Sequence, residues 1–270
     1  MNVRAERISS DSVEHVFLPA PELRRAELDA GVLDELLRGA DALVHLAAVP
    51  DDAPFSSALL PHNISAAEAV VSAAARAAAA RRGAAEKRPF ALVLASSGKV
   101  HVGHAGPLPI GPSTPPAPRC TYGATKLFGE ALGQAAAHAS GGALRSAAVR
   151  FAWCPRKGTD VDRMVEASHS GTPGVGWDEY LSPGDAGACI TSLVGSLSAE
   201  EDPAAPVPPY SLVFCQSLPP EGGQQRFDLK PTKDLCGWEP RDAFPDGVQA
   251  IRDDADYAGA FATLDVPDLG

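Results

Sequence analysis

Short apolar runs of strand length alternate along the chain with segments of helical periodicity. The clearest runs are Ala42–Leu46, Phe90–Ala95, Arg145–Arg150 and Tyr210–Phe214. Helical patterns lie between them, and one of the clearest is Tyr122–His138. Continuous apolar strands that alternate with helices are typical of a parallel sheet covered on both faces. The pattern therefore predicts a doubly wound α/β fold in which the first three runs are adjacent parallel strands.

The sequence shows no linker between independent domains. The regular alternation of strands and helices ends near residue 150, and longer loops follow. We therefore expect residues 1–150 to carry the main sheet and residues 151–270 to form a smaller part that is not an independent domain. The alanine-rich stretch from residue 56 to residue 82 predicts a helix, because alanine has the highest helix propensity.

Charge and cysteine content argue against several classes of function. The 270 residues carry a formal net charge of -11, which argues against binding to nucleic acid or to an anionic membrane surface. No apolar stretch reaches the roughly 20 residues of a membrane-spanning helix. The five cysteines form no C-x-x-C pair, so neither a metal site nor a disulfide framework is indicated. We expect a cytoplasmic protein.

Candidate catalytic residues follow a predicted strand or begin the next helix. Ser97 lies just after the run Phe90–Ala95, and Tyr122 and Lys126 are one helical turn apart on one face. A nearby ammonium lowers the pKa of a phenol from its usual value near ~10, so Tyr122 would exchange a proton with a hydroxyl or carbonyl group. Ser97 would polarise the same oxygen, and a nicotinamide would exchange the hydride. A Tyr–Lys pair alone is equally compatible with an exposed helix face.

Several segments carry a likeness to a known family: Asp41–Ala48, Asn63, Leu94–Ser97, Tyr122–Lys126 with Glu130, and Val149–Arg150. Together they resemble the extended short-chain dehydrogenases/reductases of the NAD-dependent epimerase/dehydratase family, which implies a Rossmann-like fold. Within that family the chain is most similar to uronate dehydrogenases, which oxidise free hexuronic acids with NAD. This closer likeness rests on His45–Phe55, Tyr180–Asp185 and Leu235–Asp242.

The resemblance implies roles for individual residues. Tyr122 would be the acid/base, Lys126 would tune it and bind ribose, and Ser97 would polarise the hydroxyl. Asn63 would hold a proton-relay water, and Arg163 would bind the substrate carboxylate, which its planar guanidinium matches. The implied cofactor contacts are Glu27, Leu28, Leu46, Ala47, Ala48, Tyr122 and Lys126. The implied substrate contacts are Ser97, Gly98 and Arg163, and no metal is implied.

The start of the sequence departs from the family pattern. Family members open with a strand and a glycine-rich turn that hold the cofactor pyrophosphate, whereas the first glycine here is Gly31. We expect an N-terminally abbreviated fold without this strand–helix unit; an alternative is an incomplete gene model that lacks about 25–30 residues. Gly98 and Pro50 stand where uronate dehydrogenases carry Asn and often Ser, so the identity of the substrate stays open.

Three functions are compatible with these residues. The first is an NAD-dependent oxidoreductase that acts on a sugar or sugar acid, with NADP as the alternative cofactor. The second is a nucleotide-sugar epimerase or dehydratase that uses the same residues. The third is a degenerate homologue without catalysis, which the absence of the glycine-rich turn favours. The resemblance also implies a homodimer formed through the helix Tyr122–His138.

Weak cofactor binding is the prediction that follows from the absent glycine-rich turn. Two or three backbone N–H groups normally contact the pyrophosphate, and a hydrogen bond to a charged group contributes ~1.5–3 kcal/mol. Loss of two such bonds would weaken binding by a factor of about several hundred or more. Titration calorimetry with NAD and NADP measures this directly. Micromolar affinity would show that another segment replaces the turn.

Overall fold

The structure is a computed structural model, and the residues it describes form two compact units. The described residues are 6–10, 13–17, 30–84, 87–155, 162, 179–200, 202, 204, 206–244 and 246. The first unit comprises residues 1–104, 116–150 and 190–213, and the second comprises residues 105–115, 151–189 and 214–270. The sequence-based division at residue 150 stays a prediction.

A four-stranded parallel sheet organises the first unit. Its strands, in spatial order, are β3 (Ala42–His45), β4 (Phe90–Ser97), β5 (Leu144–Phe151) and β6 (Tyr210–Cys215). Strands β3 and β4 pair in parallel with Ala42 opposite Ala91. The predicted α/β class and the predicted adjacency of the first three apolar runs are therefore confirmed.

Helices and a separate hairpin complete the described secondary structure. The α-helices are α1 (Ala30–Leu36), α2 (Ala66–Gly83), α3 (Thr121–Ala139), α4 (Pro183–Ser198) and α5 (Lys230–Cys236). Strands β1 (Glu6–Ser10) and β2 (Val13–Phe17) form an antiparallel hairpin. The sequence did not predict β1, because its residues lack an apolar run. Within the described part of the chain, no helix is both long enough and apolar enough to cross a membrane.

Small side chains let α2 pack closely on the sheet. The face of α2 that is buried consists of Ala66, Ala67, Val70, Val71, Ala73, Ala74 and Ala78. This face packs in one core cluster with Phe90, Leu92 and Leu94 of β4 and with Leu144 of β5. The alanine-rich tract therefore supplies a smooth helix surface against large strand residues, which suits close interior packing.

The helix predicted from residue 56 to residue 82 is interrupted at its start. Residues Phe55–Ser65 form a π-helical segment, and α2 begins only after it. Pro61 lies inside this segment and lacks a backbone N–H group, so the regular i to i-4 ladder cannot form there. The wider turn is visible at Leu59, whose N–H group donates to the Pro54 carbonyl five residues earlier, at 3.3 Å.

The second unit is built around a buried aspartate. The Asp185 carboxylate accepts hydrogen bonds from the Ser217 hydroxyl at 2.6 Å and from the Arg241 and Asp242 backbone N–H groups at 2.9 and 3.2 Å. Asp185 lies in the first turn of α4, which begins at Pro183. The carboxylate thus ties the first turn of α4 to two later segments of its own unit.

Close approach of α3 to the 3₁₀ turn Gly98–His101, which follows β4, depends on Gly123. A Cβ atom at this position would lie 2.9 Å from the Lys99 carbonyl oxygen and 3.1 Å from the Pro118 Cβ. We expect Gly123→Ala to lower the free energy of unfolding by about 1–3 kcal/mol, because α3 must move away from the strand end. Urea unfolding monitored by circular dichroism measures the change.

Gly129 in the same helix provides the matched control. No described atom lies within 4 Å of a Cβ built there. Gly129→Ala should therefore raise the free energy of unfolding by about 1 kcal/mol through helix propensity alone. Equal effects of the two substitutions would contradict the packing role of Gly123.

Candidate active site

Ser97 and Tyr122 meet at the carboxyl end of the parallel sheet. Ser97 is the last residue of β4, and Tyr122 is the second residue of α3. The Ser97 side chain lies close enough to the Tyr122 phenol to act on its pKa, and the Ser97 hydroxyl accepts the Lys99 N–H group at 3.2 Å. Ligands of parallel α/β sheets bind beyond this edge. The two oxygens are close enough for one substrate atom to contact both.

Lys126 lies one turn further along α3, behind the tyrosine ring. Its Nζ is 5.5 Å from the centroid of the Tyr122 ring and donates a hydrogen bond to the Ala95 carbonyl at 3.0 Å. Only 9% of the residue is exposed. Burial lowers the pKa of the Lys126 ammonium to about 8. The predicted convergence of Ser97, Tyr122 and Lys126 is thus observed, while their catalytic roles stay predictions.

The pKa of the Tyr122 phenol differs from the sequence-based expectation. Burial raises this pKa, and the nearby Ser97 side chain only partly opposes the rise. The sequence predicted a lowered pKa because Lys126 is one turn away. In the structure the ammonium lies over the ring and bonds to a backbone carbonyl, so desolvation of the phenolate dominates.

Asn63 links the loop after β3 to α3. It lies in the π-helical segment and is buried. Its Oδ1 accepts the Val49 N–H group at 2.8 Å, and its Nδ2 donates to the Val49 carbonyl and to Thr125 Oγ1, both at 3.1 Å. Thr125 in turn donates to the Tyr122 carbonyl at 2.7 Å. The Asn63 amide therefore positions neighbouring backbone, and its predicted water-relay role stays a prediction.

A small polar pocket lies between β3, β4 and α3. Its polar lining is His45, Asn63, Ser96, Thr125, Lys126 and Glu130. Its volume, about 20 Å³ for the centre of a water molecule, has room for at least one water. Burial, and then the charge of Lys126, lower the pKa of His45 to about 4, so this imidazole is neutral at physiological pH. Sequence reasoning missed His45 as a site residue; its signal was a titratable residue at the end of an apolar strand.

A buried network of charged and polar side chains adjoins the pocket, which Ser96 and Glu130 also line. Arg150 donates two hydrogen bonds to the Glu130 carboxylate, at 2.8 and 2.7 Å, and Ser96 donates a third at 2.5 Å. Another Arg150 nitrogen lies 2.6 Å from His101 Nε2, which must act as the acceptor. The family resemblance found in the sequence included Glu130 and Arg150 without giving them a role, and it did not include His101.

The predicted nicotinamide-side residues follow β3. Leu46 is exposed, and Ala47 and Ala48 are partly buried, with Ala47 also lining the pocket. Gly98 is buried and begins the 3₁₀ turn Gly98–His101 after β4. The remaining predicted contacts, Glu27, Leu28 and Arg163, lie outside the described residues.

Two aspartates hold the loop after β3 against the site. The Asp52 carboxylate accepts the Tyr122 N–H group at 2.9 Å and so caps the start of α3. Asp51 forms an ion pair with Lys99, whose Nζ lies 5.9 Å from the Tyr122 ring centroid. Sequence reasoning did not identify these contacts, because they join residues that are far apart in the chain.

Comparison with known proteins decides the family. The sequence model of the NAD dependent epimerase/dehydratase family matches residues 8–153. The chain belongs to this family. The resemblance inferred from the sequence is therefore confirmed. No curated protein sequence matches this epimerase/dehydratase family member.

Solved structures share the fold of this family member at low sequence identity. Glucuronic acid dehydrogenase from Chromohalobacter salexigens is 20% identical, with a TM-score of 0.58 over 92% of this chain and 76% of that chain. MoeE5 in complex with UDP-glucose and NAD is 18% identical, with a TM-score of 0.60 over 86% and 83%. UDP-glucuronic acid 4-epimerase from Bacillus cereus is 14% identical, with a TM-score of 0.58 over 85% and 78%. These likenesses establish a Rossmann-like α/β fold.

Stability should increase when the charge of Lys126 is removed. The pKa of lysine falls from 10.5 to about 8 on folding, so keeping Lys126 charged at pH 7 costs about 3 kcal/mol. We expect Lys126→Met to raise the free energy of unfolding by about 2 kcal/mol after loss of the bond to Ala95. The unfolded chain binds more protons between pH 8 and 10.5, so wild-type stability should rise across that range and the variant should lack this rise.

Urea unfolding at pH 7 and at pH 9.5 measures both effects. Lys99→Met is the control, since Lys99 is 43% exposed in its ion pair and its removal should change stability by less than about 1 kcal/mol. A less stable Lys126→Met protein would mean that the ammonium is favourably solvated in the folded state.

Proposed function

We propose that the chain is an NAD-dependent oxidoreductase that acts on a sugar or sugar acid, with Tyr122 as its acid/base. The observation that carries the proposal is the meeting of Ser97, at the end of β4, with Tyr122, at the start of α3, with the Lys126 ammonium 5.5 Å from the tyrosine ring. Family membership supports the use of NAD, because the matching family is named for NAD-dependent epimerases and dehydratases. Neighbouring structures named as uronate or glucuronic acid dehydrogenases support the sugar-acid class.

The residues at the end of β3 fit the nicotinamide end of the cofactor. Ala47 and Ala48 carry the smallest side chains that still have a Cβ, so a flat ring can approach the backbone there. Ala47 shares the pocket with Lys126, which would hold the ribose of the cofactor. When bound, the nicotinamide supplies the acceptor or donor of the hydride.

The chain itself handles the proton. In oxidation, the Tyr122 phenolate accepts the proton of the substrate hydroxyl while the C–H bond releases its hydride and a carbonyl forms. Ser97 donates a hydrogen bond to the same oxygen, and Lys126 provides positive charge near the phenolate. In reduction, the neutral phenol returns the proton. The raised pKa of Tyr122 keeps the phenol protonated near neutral pH, so oxidation should accelerate as the pH rises.

A nucleotide-sugar epimerase is the second candidate. MoeE5 and the 4-epimerase from Bacillus cereus, whose structures contain UDP-sugars and NAD, match the fold as well as the dehydrogenases do. An epimerase would use the same three residues but would return the hydride to the sugar. The two functions therefore differ in net NADH production.

Tyr122→Phe tests the proposed function. We expect this substitution to lower kcat/KM about 10²–10⁴-fold, because it removes the group that exchanges the proton. Absorbance of NADH measures oxidation of D-glucuronate or D-galacturonate, and chromatography measures conversion of UDP-glucuronate without net NADH. The fold should remain intact, since the ring is retained.

Tyr180→Phe is the matched control for loss of a tyrosine hydroxyl. Tyr180 is fully buried in the second unit, where its ring lies edge-on to Phe244 at 5.8 Å. The Tyr180→Phe variant should retain the turnover of the wild-type protein. Unchanged turnover in Tyr122→Phe would refute the acid/base role, and inactivity of the wild-type protein on all three substrates would support the non-catalytic alternative.

A further inference from the structure

Two lysine ammonium groups lie near the Tyr122 ring, and they differ in access to solvent. The Nζ atoms of Lys126 and Lys99 are 5.5 and 5.9 Å from the ring centroid. Lys126 is buried, whereas the Lys99 side chain is 43% exposed. A ligand can therefore reach Lys99 from solvent, whereas Lys126 is buried and its ammonium donates a hydrogen bond to the Ala95 carbonyl.

The position of Lys99 suits a charged group near the reacting carbon of a substrate. Its backbone N–H group donates to the Ser97 hydroxyl, so its side chain starts beside the oxygen that would hold the reacting group. In the pyranose form of a hexuronic acid, C1 and C5 are both bonded to the ring oxygen, so the C1 hydroxyl and the C6 carboxylate lie on the same side of the sugar ring as that oxygen. A flexible lysine side chain that begins at the Ser97–Tyr122 pair can reach such a carboxylate.

Asp51 already presents a carboxylate to Lys99. Its backbone has a φ of 68°, in the left-handed region that few residues other than glycine adopt. The next residue, Asp52, accepts the Tyr122 N–H group and so holds the loop against α3. Since the Asp51 side chain is 50% exposed, the ion pair with Lys99 is open to solvent, and such pairs contribute little to stability.

We propose that Lys99 binds the carboxylate of an acidic sugar substrate, a role that the family resemblance implied for Arg163, and that Asp51 occupies this position in the free protein. This inference rests on the proposed function and names the substrate class for the same site. Binding exchanges one carboxylate for another at the same ammonium, so it requires little net loss of ion pairing. A neutral sugar has no carboxylate that could replace Asp51, so the Asp51–Lys99 ion pair would stay intact in its presence.

Binding of an acid and of its neutral amide tests the proposal without turnover. The probes are D-glucuronate and D-glucuronamide, titrated by calorimetry into the wild-type chain without NAD, so that no oxidation can occur. Asp51→Asn should tighten D-glucuronate binding about tenfold and leave D-glucuronamide binding unchanged, because the competing carboxylate is gone. Lys99→Met should weaken D-glucuronate binding about tenfold or more and abolish the preference for the acid.

Lys99→Arg serves as the matched variant, because it retains the charge and should retain the preference. Unchanged or weaker D-glucuronate binding by Asp51→Asn would refute the proposal that Asp51 competes with the substrate carboxylate for Lys99. A preference for the acid that survives in Lys99→Met would refute Lys99 as the anchor, and absence of D-glucuronate binding in all proteins would refute the substrate class. If the protein binds D-glucuronate in preference to D-glucuronamide but shows no turnover, this inference is supported and the proposed oxidoreductase function is refuted.

Discussion

Helix α3 is fixed to the sheet by the ion pair between Glu130 and Arg150, which is almost completely removed from solvent. A buried pair of this kind is stable only when its remaining donors and acceptors are satisfied, and Ser96 and His101 provide those contacts. Because Glu130, Lys126 and Tyr122 follow one another at intervals of four residues, they share one face of α3. The ion pair thereby sets where Lys126 and Tyr122 stand relative to the strand ends.

The same burial that orders this face changes the protonation of the site. It lowers the pKa values of Lys126 and His45 and raises that of Tyr122, so every one of these groups is pushed toward its neutral form. Such a site lowers the free energy of unfolding, because the charged ammonium of Lys126 is held at a buried position with little solvation. The packing of the alanine-rich face of α2 on β4 supplies stability from a different part of the unit.

Local patterns in the sequence predicted the sheet and the shared helix face of Tyr122 and Lys126, because both depend on short-range spacing. Apolar runs define β3, β4 and β5, and the four-residue interval places Tyr122 and Lys126 on one face. The contacts of Asp51 and Asp52 were not predictable, since they arise only when the loop after β3 reaches α3. The direction of the Tyr122 pKa shift was also not predictable, because desolvation depends on burial that a sequence does not display.

Electrostatics near Tyr122 connect the proposed chemistry with the proposed substrate class. The phenol requires added positive charge to ionise for oxidation, because burial alone disfavours the phenolate. Lys126 supplies positive charge below its lowered pKa of about 8, whereas the charge of Lys99 is neutralised by Asp51 in the free protein. If a substrate carboxylate replaces Asp51, it neutralises Lys99 in the same way, so the electrostatic field at the phenol changes little. Substrate binding and proton transfer are therefore separable at this site: Lys99 acts on affinity for the acid, and Lys126 acts on the phenol.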